Sequence, residues 1–398
     1  MKVFQGEKIP IKNWCSIVEE EAWEQIFNLA KLPFAFHHIA IMPDAHKGYG
    51  VPIGGVLATK KVVIPNAVGV DIGCGLCAVK TSLKVEQLDK ETLKQIMGKI
   101  REVIPVGKEH NKVDQDKALM PTYGPEDDTE RYYPIVYSQY HSALKQLGSL
   151  GSGNHFLEIQ RDTENNIWIM IHSGSRNLGH KVATYYNEVA IKLNEKWYSS
   201  VPKEWQLAFL PIDGIEGKAY IREMTYCVNF ALANRRLIMD RIIDCFHEIL
   251  KPQKTIAYST DMINIAHNYA KMENHFGENV MVHRKGATLA RTDIMGIIPG
   301  SQGTASYIVQ GKGNPDSFMS CSHGAGRTMS RTKAKNELDL ATEIKKLNDK
   351  GIIHGIRTQK DLDEASGAYK DISQVMAEQS DLIEIKVKLE PLAVIKGD

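Results

Sequence analysis

Apolar positions along this chain change period several times, and the changes outline strands alternating with helices. Leu88, Ile96, Ile100 and Val103 recur at helical spacing and predict a helix ending before Pro105. Residues 218–250 lack Pro and Gly and keep the same spacing, so a long helix is expected there. Ser16-Ile-Val-Glu19 has the form of a capping box opening a helix that Pro33 ends. His38–Met42 and Ile167–Ile171 are apolar runs of strand length, and the second leads directly into His172-Ser-Gly-Ser-Arg176. Val51–Val63 mixes glycine with β-branched residues, as strands and tight turns do. Residues 107–133 are polar, include Gly124-Pro-Glu-Asp-Asp-Thr129, and predict a long mobile surface loop. Residues 297–309 and 317–327 read as glycine- and serine-rich turns between apolar runs. There is no internal repeat, low-complexity tract or linker. Motifs able to carry chemistry recur from residue 44 to residue 396, so a single domain over 1–398 is expected.

Composition narrows the class. The 398 residues are 43% hydrophobic and 24% charged, as in a soluble globular protein. No apolar run is long enough to span a bilayer, and the N-terminus, Met-Lys-Val-Phe-Gln-Gly-Glu, lacks the apolar core of a signal peptide. Six scattered cysteines fit a reducing compartment better than a disulfide framework, and a cytoplasmic location is expected. The formal net charge is +1, so any polyanion site must be a local cluster.

The run Val68-Gly-Val-Asp-Ile-Gly-Cys-Gly75 pairs a carboxylate, Asp71, with a thiol, Cys74. Carboxylate oxygen suits hard divalent ions and thiolate suits softer ones. A structural clip usually has four Cys or His ligands, and no second Cys-x-x-Cys completes one here. Further ligands must come from histidines. His155, His172 and His267 each stand beside small or amide residues that let a backbone approach closely or orient an imidazole. Singly, each reads as a hydrogen-bonded structural histidine; with Asp71 and Cys74, the five suit one or two ions.

His323 lies in Ser320-Cys-Ser-His-Gly-Ala-Gly-Arg327, where Gly324 and Gly326 would let a phosphate approach backbone N–H groups. A helix is expected just after these glycines, with Arg327, Arg331 and Lys335, spaced by four, on one face. An imidazole beside such a cradle can attack phosphorus. The spacing alone fits a turn histidine beside a solvated basic face equally well. Ile298-Pro-Gly-Ser-Gln-Gly-Thr-Ala-Ser306 lacks the ending of a P-loop. His283-Arg-Lys-Gly286 is another small basic cluster, and Lys396 follows the apolar run Leu392–Ile395.

The runs Met42-Pro-Asp-Ala-His-Lys-Gly48, Val68–Gly75, Gly151-Ser-Gly-Asn-His-Phe-Leu-Glu158, His172–Arg176, Pro299-Gly-Ser-Gln-Gly303, Ser322-His-Gly-Ala-Gly-Arg327 and Lys396-Gly397 follow the order seen in RtcB-type RNA ligases. The chain resembles that family over essentially its whole length. The resemblance implies an α+β fold of the family's own kind, with central β-sheets flanked by helices. It implies joining of RNA 3′-phosphate or 2′,3′-cyclic phosphate ends to 5′-hydroxyl ends, in tRNA splicing or RNA repair, with GTP and two Mn2+ ions. His323 would take GMP, and the guanylate would pass to the RNA 3′-phosphate, giving RNA-ppG, before the 5′-hydroxyl displaces GMP. Asp71, Cys74, His155, His172 and His267 would hold the two ions, with Cys74 bridging. Asn154, His155, Phe156, Leu157, Glu158, His267, Asn268, Pro299, Gly300, Ser301, Gln302, Ser306, His323, Gly324, Ala325, Gly326 and Lys396 match nucleotide-binding positions. Arg176, Arg327 and Arg331 would meet RNA phosphates, and Asp44 is a candidate for proton handling. An archease-like activator serves some members. Gln302 stands where the family commonly has methionine, and Ala45 where valine is frequent. Two other readings use parts of the same motifs: a metal-dependent cyclic-phosphate hydrolase that needs neither His323 nor Lys396, and a non-catalytic RNA-binding module on the Arg327, Arg331, Lys335 face.

Overall fold

Two antiparallel-dominated sheets carry the architecture, and the chain crosses between them at a histidine. The computed structural model describes residues 1–123, 133–250 and 262–397. The first sheet has the order β1 (Lys2–Phe4), β2 (Ile11–Asn13), β3 (Ala35–His46), β4 (Ile53–Thr59), β12 (Glu278–Lys285) and β11 (Asn268–His275). The second runs β10 (Ile263–Ala266), β6 (Gly75–Lys84), β8 (Asn166–Ser173), β7 (Phe156–Asp162), β17 (Ile383–Lys396), β15 (Ser306–Gly311) and β14 (Met295–Ile298). β10 belongs to one sheet and β11 to the other, and His267 is the residue between them. Two small ladders complete the fold: β13 (Ala287–Leu289) with β16 (Ser320–Ser322), and β5 (Val62–Val63) with β9 (Leu210–Pro211).

The second sheet is covered on both faces, which explains its apolar strands. All eight residues of β8 are buried. Ile167, Ile169 and Ile171 pack with Ile238, Ile242 and Phe246 of the helix Ile215–Leu250. Trp168 and Met170 point the other way, toward Ile297, Ile308 and Leu389. The helix Ile215–Leu250 spans 36 residues and realises the expected long helix, as Lys90–Val103 realises the shorter one. No described helix is long and apolar enough to cross a membrane.

Several local expectations change. The first helix, Glu20–Ala30, starts without the capping box: its N-cap is Glu19, with no side-chain cap bond. Tertiary partners take the polar groups instead, with Ser16 Oγ accepting from Gln374 (2.7 Å) and Glu19 from the Lys47 backbone. The strand at His38–Met42 extends to His46, so Asp44 sits inside it. Residues 107–123 are pinned, because Arg241 donates to Asn111, Gln115 and Gly148; Gly124–Thr129 falls outside the described residues. Residues 297–309 contain strand ends of β14 and β15 around a short loop. No helix follows Gly326 directly. Arg327 pairs as an isolated bridge with Tyr369, and the helix is Arg331–Glu337, capped by Ser330.

Candidate active site

Strand register gathers the ligand candidates at one edge of the second sheet. Gly75 opens β6 opposite Ser173, Leu76 faces His172, and His172 in turn faces Phe156 on β7. Phe156 faces Lys396 on β17. Asp71 and Cys74 therefore precede one strand, His155 precedes the next, and His172 and Lys396 close the other two. His267 joins them from the sheet crossing, where its N–H donates to the Cys74 carbonyl (2.8 Å).

The helix Ile215–Leu250 holds this edge from below through Arg235, which the sequence motifs do not single out. Its buried guanidinium donates to the carbonyls of Gly73 (3.0 Å) and Ser173 (2.8 Å) and to Asn264 Oδ1 (2.7 Å). One side chain thus ties the backbone beside Cys74 and His172 to the side chain of Asn264 on β10, the strand that leads into His267. Asn234 adds bonds to Ser149, Ser173 and Gly174.

Five side chains form two donor groups with one member in common. Asp71, Cys74 and His155 make one, and Cys74, His172 and His267 the other, each with donor atoms within 4.8 Å of one another. Cys74 Sγ lies 3.2 Å from His172 Nε2 and 3.5 Å from His155 Nε2, which is 3.1 Å from Asp71 Oδ2. His172 Nδ1 faces the Asn154 carbonyl (3.0 Å), and a carbonyl only accepts, so Nδ1 carries the proton and Nε2 presents a lone pair. Burial holds His172 and His267 well below the usual imidazole range, so both are neutral and able to act as ligands. His267 Nδ1 is buried without a hydrogen-bond partner. Burial works upward on Asp71, but the hydrogen bond and charge of His155 outweigh it and its carboxyl is lowered. Burial and the neighbouring Asp71 push the Cys74 thiol far up, so thiolate forms there only against a cation. Mixed O, N and S donors with an unpartnered buried nitrogen fit a divalent-ion centre that Cys74 could bridge.

His323 stands beside the second donor group. Its ring centroid is 4.8 Å from that of His267, which is 5.2 Å from that of His172. Asp44 is fully buried, and its Oδ2 accepts from His323 Nδ1 (2.6 Å), His323 N (3.0 Å) and Gly324 N (3.2 Å). Nδ1 is thereby the protonated nitrogen and Nε2 is the free lone pair. Gly326 has φ +73°, and a Cβ there would collide with the Asp44 carbonyl, so this turn packs directly on β3.

A cleft of about 230 Å³ joins the metal candidates to the nucleotide candidates. Its lining includes Asp71, Cys74, His172 and His267 on one side and His323, Gly324, Ala325 and Gly326 on another. Asn154, Phe156, Glu158, Asn268, Pro299, Gly300, Ser301, Gln302 and Lys396 line it as well. Three expected nucleotide residues, His155, Leu157 and Ser306, do not. Leu157 points to the opposite face of β7, into the core around Ile171 and Ile395. Ser306 is buried, its Oγ bonded by Gly300 N (3.2 Å) and Gln160 (3.3 Å), where it shapes the 299–305 loop. His155 and Arg176 face a second cleft of about 480 Å³ that also contains Asp71, Lys108, His110 and His180. Arg176 is anchored there to Ser149 Oγ (3.0 Å) and the Gly107 carbonyl (3.1 Å).

Glu364, Tyr369 and His46 also line the first cleft, and no motif signals the first two. Glu364 pairs with Arg327 (3.0 Å) and Arg331 (2.8 Å) and accepts from Tyr369, while Asp363 pairs with Lys335 (3.4 Å). The expected solvated basic face is therefore partly compensated, with Arg327 and Arg331 sharing the one carboxylate of Glu364. Burial works upward on Glu364, but Lys396, Arg327 and Arg331 keep it below its usual range. Burial raises Glu158 to about 7 against the opposing pull of Lys396 and Gln160. Lys396 is lowered by burial, opposed by Glu364 and Glu158, and its Nζ sits 5.3 Å from the Phe156 ring. Gln302 donates to the Glu364 carbonyl (3.1 Å) and leaves its Oε1 unpaired.

Comparison with known proteins places this geometry. A family model described as tRNA-splicing ligase RtcB matches residues 25–397. The RNA-splicing ligase RtcB of Escherichia coli is 40% identical over 411 residues, covering 98% of each chain. The tRNA-splicing ligase RtcB of Nanoarchaeum equitans is 35% identical over 462 residues, covering 100% of this chain and 95% of the relative. That of Methanococcus maripaludis is 35% identical over 445 residues, covering 96% and 92%.

Proposed function

The chain belongs to the RtcB family of RNA-splicing ligases, and on that premise we propose that it joins RNA 3′-phosphate or 2′,3′-cyclic phosphate ends to 5′-hydroxyl ends through a guanylylated His323. The observation that carries this reading is the contiguity of the Cys74-centred donor groups with His323 around one cleft that Lys396 also lines.

The residues suggest how each step is served. Asp44 fixes the proton of His323 on Nδ1, so Nε2 attacks the α-phosphorus of GTP while the bond to the β-phosphate oxygen breaks and pyrophosphate leaves. The guanylylated ring is cationic, and the Asp44 carboxylate beside Nδ1–H stabilises it. The Gly300–Gln302 and Gly324–Gly326 turns line the space for phosphate oxygens, the N–H groups of Gly300, Ser301 and Gly324 being held by Ser306, Thr304 and Asp44 to fix the shape of the turns. Glu158 and Lys396, also in the lining, orient the base and sugar. Asp71, Cys74, His155, His172 and His267 would hold two Mn2+ ions, which when bound supply charge neutralisation for the phosphates. A 2′,3′-cyclic end is first opened by water, which breaks the P–O2′ bond and leaves a 3′-phosphate and a 2′-hydroxyl; the RNA 3′-phosphate then displaces His323 from the guanylate, restoring the neutral imidazole, and the incoming 5′-hydroxyl expels GMP. Arg176, in the cleft sharing Asp71 and His155, is placed to steady an RNA phosphate. Convergence of strand ends from both sheets on one cleft supports treating residues 1–398 as one ligase domain.

End-labelled RNA halves carrying a 3′-phosphate or cyclic phosphate, mixed with 5′-hydroxyl halves, GTP and Mn2+, should give joined product. Opening of the cyclic phosphate with no joined product, with or without GTP, would instead make the protein a hydrolase.

A further inference from the structure

The hydrogen bond from His323 to Asp44 depends on where the backbone carries Asp44, and β3 is irregular there. Its ladder with β4 pairs Ile41 with Gly55 and His46 with Ile53, so residues 42–45 stand opposite Gly54 alone. A bulge of this kind takes backbone groups out of the ladder and re-aims a side chain. Buried carbonyls within it must find donors elsewhere. The Asp44 carbonyl accepts from His46 Nδ1 (3.0 Å). The carbonyls on either side of it, those of Pro43 (3.3 Å) and Ala45 (2.7 Å), accept from Lys370 Nζ.

Lys370 reaches the bulge from far along the chain, in the connection ahead of the helix Ile372–Glu378. Its ammonium also donates to the Ile17 carbonyl (3.0 Å) and to Sγ of the buried Cys15 (3.1 Å). These four acceptors are three carbonyls and a thiol, so the contact fixes backbone rather than forming an ion pair. The backbone N–H of Lys370 donates to the Gly326 carbonyl (3.0 Å), in the turn that follows His323. One residue thus holds both partners of the 2.6 Å bond, Asp44 through its side chain and the His323 turn through its main chain. The two segments leave no slack, since a Cβ on Gly326 would collide with the Asp44 carbonyl and one on Gly54 with the Ala45 backbone. Lys370 is not among the residues that line the cleft, so any effect it has on the reaction passes through these contacts.

We propose that Lys370 is a positioning residue for the transfer of GMP to His323. By clamping the bulge that carries Asp44 against the turn that carries His323, it keeps the proton on Nδ1 and the Nε2 lone pair aimed into the cleft. The inference rests on the guanylylation reading of that cleft.

The test uses Lys370→Met and Lys370→Gln, which remove the ammonium, and Lys370→Met combined with Asp44→Asn. Adduct formation with Mn2+ is followed by single-turnover intact mass over a range of GTP concentrations. The His323 Nδ1 proton is followed by NMR before Mn2+ is added, and is assigned by its loss in His323→Ala. Both single variants should slow adduct formation at saturating GTP by about ten- to a hundredfold, the scale expected of a misplacement on the order of 1 Å. The GTP concentration for half-maximal rate should change by less than about threefold, as expected when an interaction that serves the reaction step is lost. The Nδ1 proton resonance should move or disappear. In the Asp44→Asn background the Met substitution should cost less than about threefold, because the pair it serves is already broken. A wild-type rate in both single variants, or an Nδ1 proton that does not move, would overturn the proposal. Equal slowing with and without Asp44 would also overturn it, as would failure of both variants to fold, since either makes Lys370 a general structural residue. Absence of adduct from the unmodified protein would count against the ligase reading alone, because the Nδ1 proton still tests Lys370.

Discussion

At the scale of single residues, Asp44 and Glu158 show how burial assigns chemistry. Asp44 is enclosed and gives one oxygen to three N–H donors, two of them from His323. Asp44→Asn keeps the volume but removes the charge that balances a guanylylated imidazole. Adduct formation should slow by about two to four orders of magnitude, as when the carboxylate orienting a catalytic histidine is neutralised. Single-turnover kinetics by intact mass would measure this, and a loss under threefold would deny Asp44 that role. Glu158 is 3% exposed and its pKa stands at about 7, above the ordinary carboxylate value. The folded state therefore binds the proton more tightly than the unfolded chain. Its contribution to stability is fully present below the unfolded pKa and is lost as pH rises through about 7. Glu158→Gln should leave stability unchanged at acidic pH and raise it by about 2 kcal/mol at alkaline pH, read from urea denaturation at both. Motif order makes His323 and Lys396 legible in the sequence. Glu364 and Tyr369 are not, because they enter the cleft from a short turn with no spacing signature.

At the scale of elements, strand ends were readable and their partners were not. Ile167–Ile171 announces β8, yet only the ladder shows Leu76 and Phe156 on either side of His172. The expected helix face of Arg327, Arg331 and Lys335 fails because Arg327 is held outside the helix by Tyr369 and Glu364. Leu157 shows the period of two at work: its neighbours Phe156 and Glu158 face the cleft and it does not. The helix Ile215–Leu250 is legible from periodicity, but not the use of Arg235, which looks like an ordinary polar position. Arg235→Met would leave the carbonyls of Gly73 and Ser173 without their donor. A loss of about 3 kcal/mol in unfolding free energy is expected, with weaker Mn2+ binding by calorimetry. Unchanged Mn2+ affinity would mean that the strand ends hold their ligands without the helix.

At the scale of the molecule, both sheets contribute to one candidate centre: Asp44 comes from the first, His172 and Lys396 from the second with Cys74 just ahead of β6, and His267 from the crossing between them. This is why the motifs are spread over the chain while the cleft is small. In the proposed ligase His323 carries GMP, and the Cys74-centred donors are needed to put it there. The most direct test is intact-mass measurement after incubation with GTP and Mn2+. The unmodified protein should gain one GMP, His323→Ala should gain none, and Cys74→Ala should stay folded but lose both Mn2+ and the adduct. An adduct that persists in His323→Ala, or its absence from the unmodified protein under these conditions, would contradict the account.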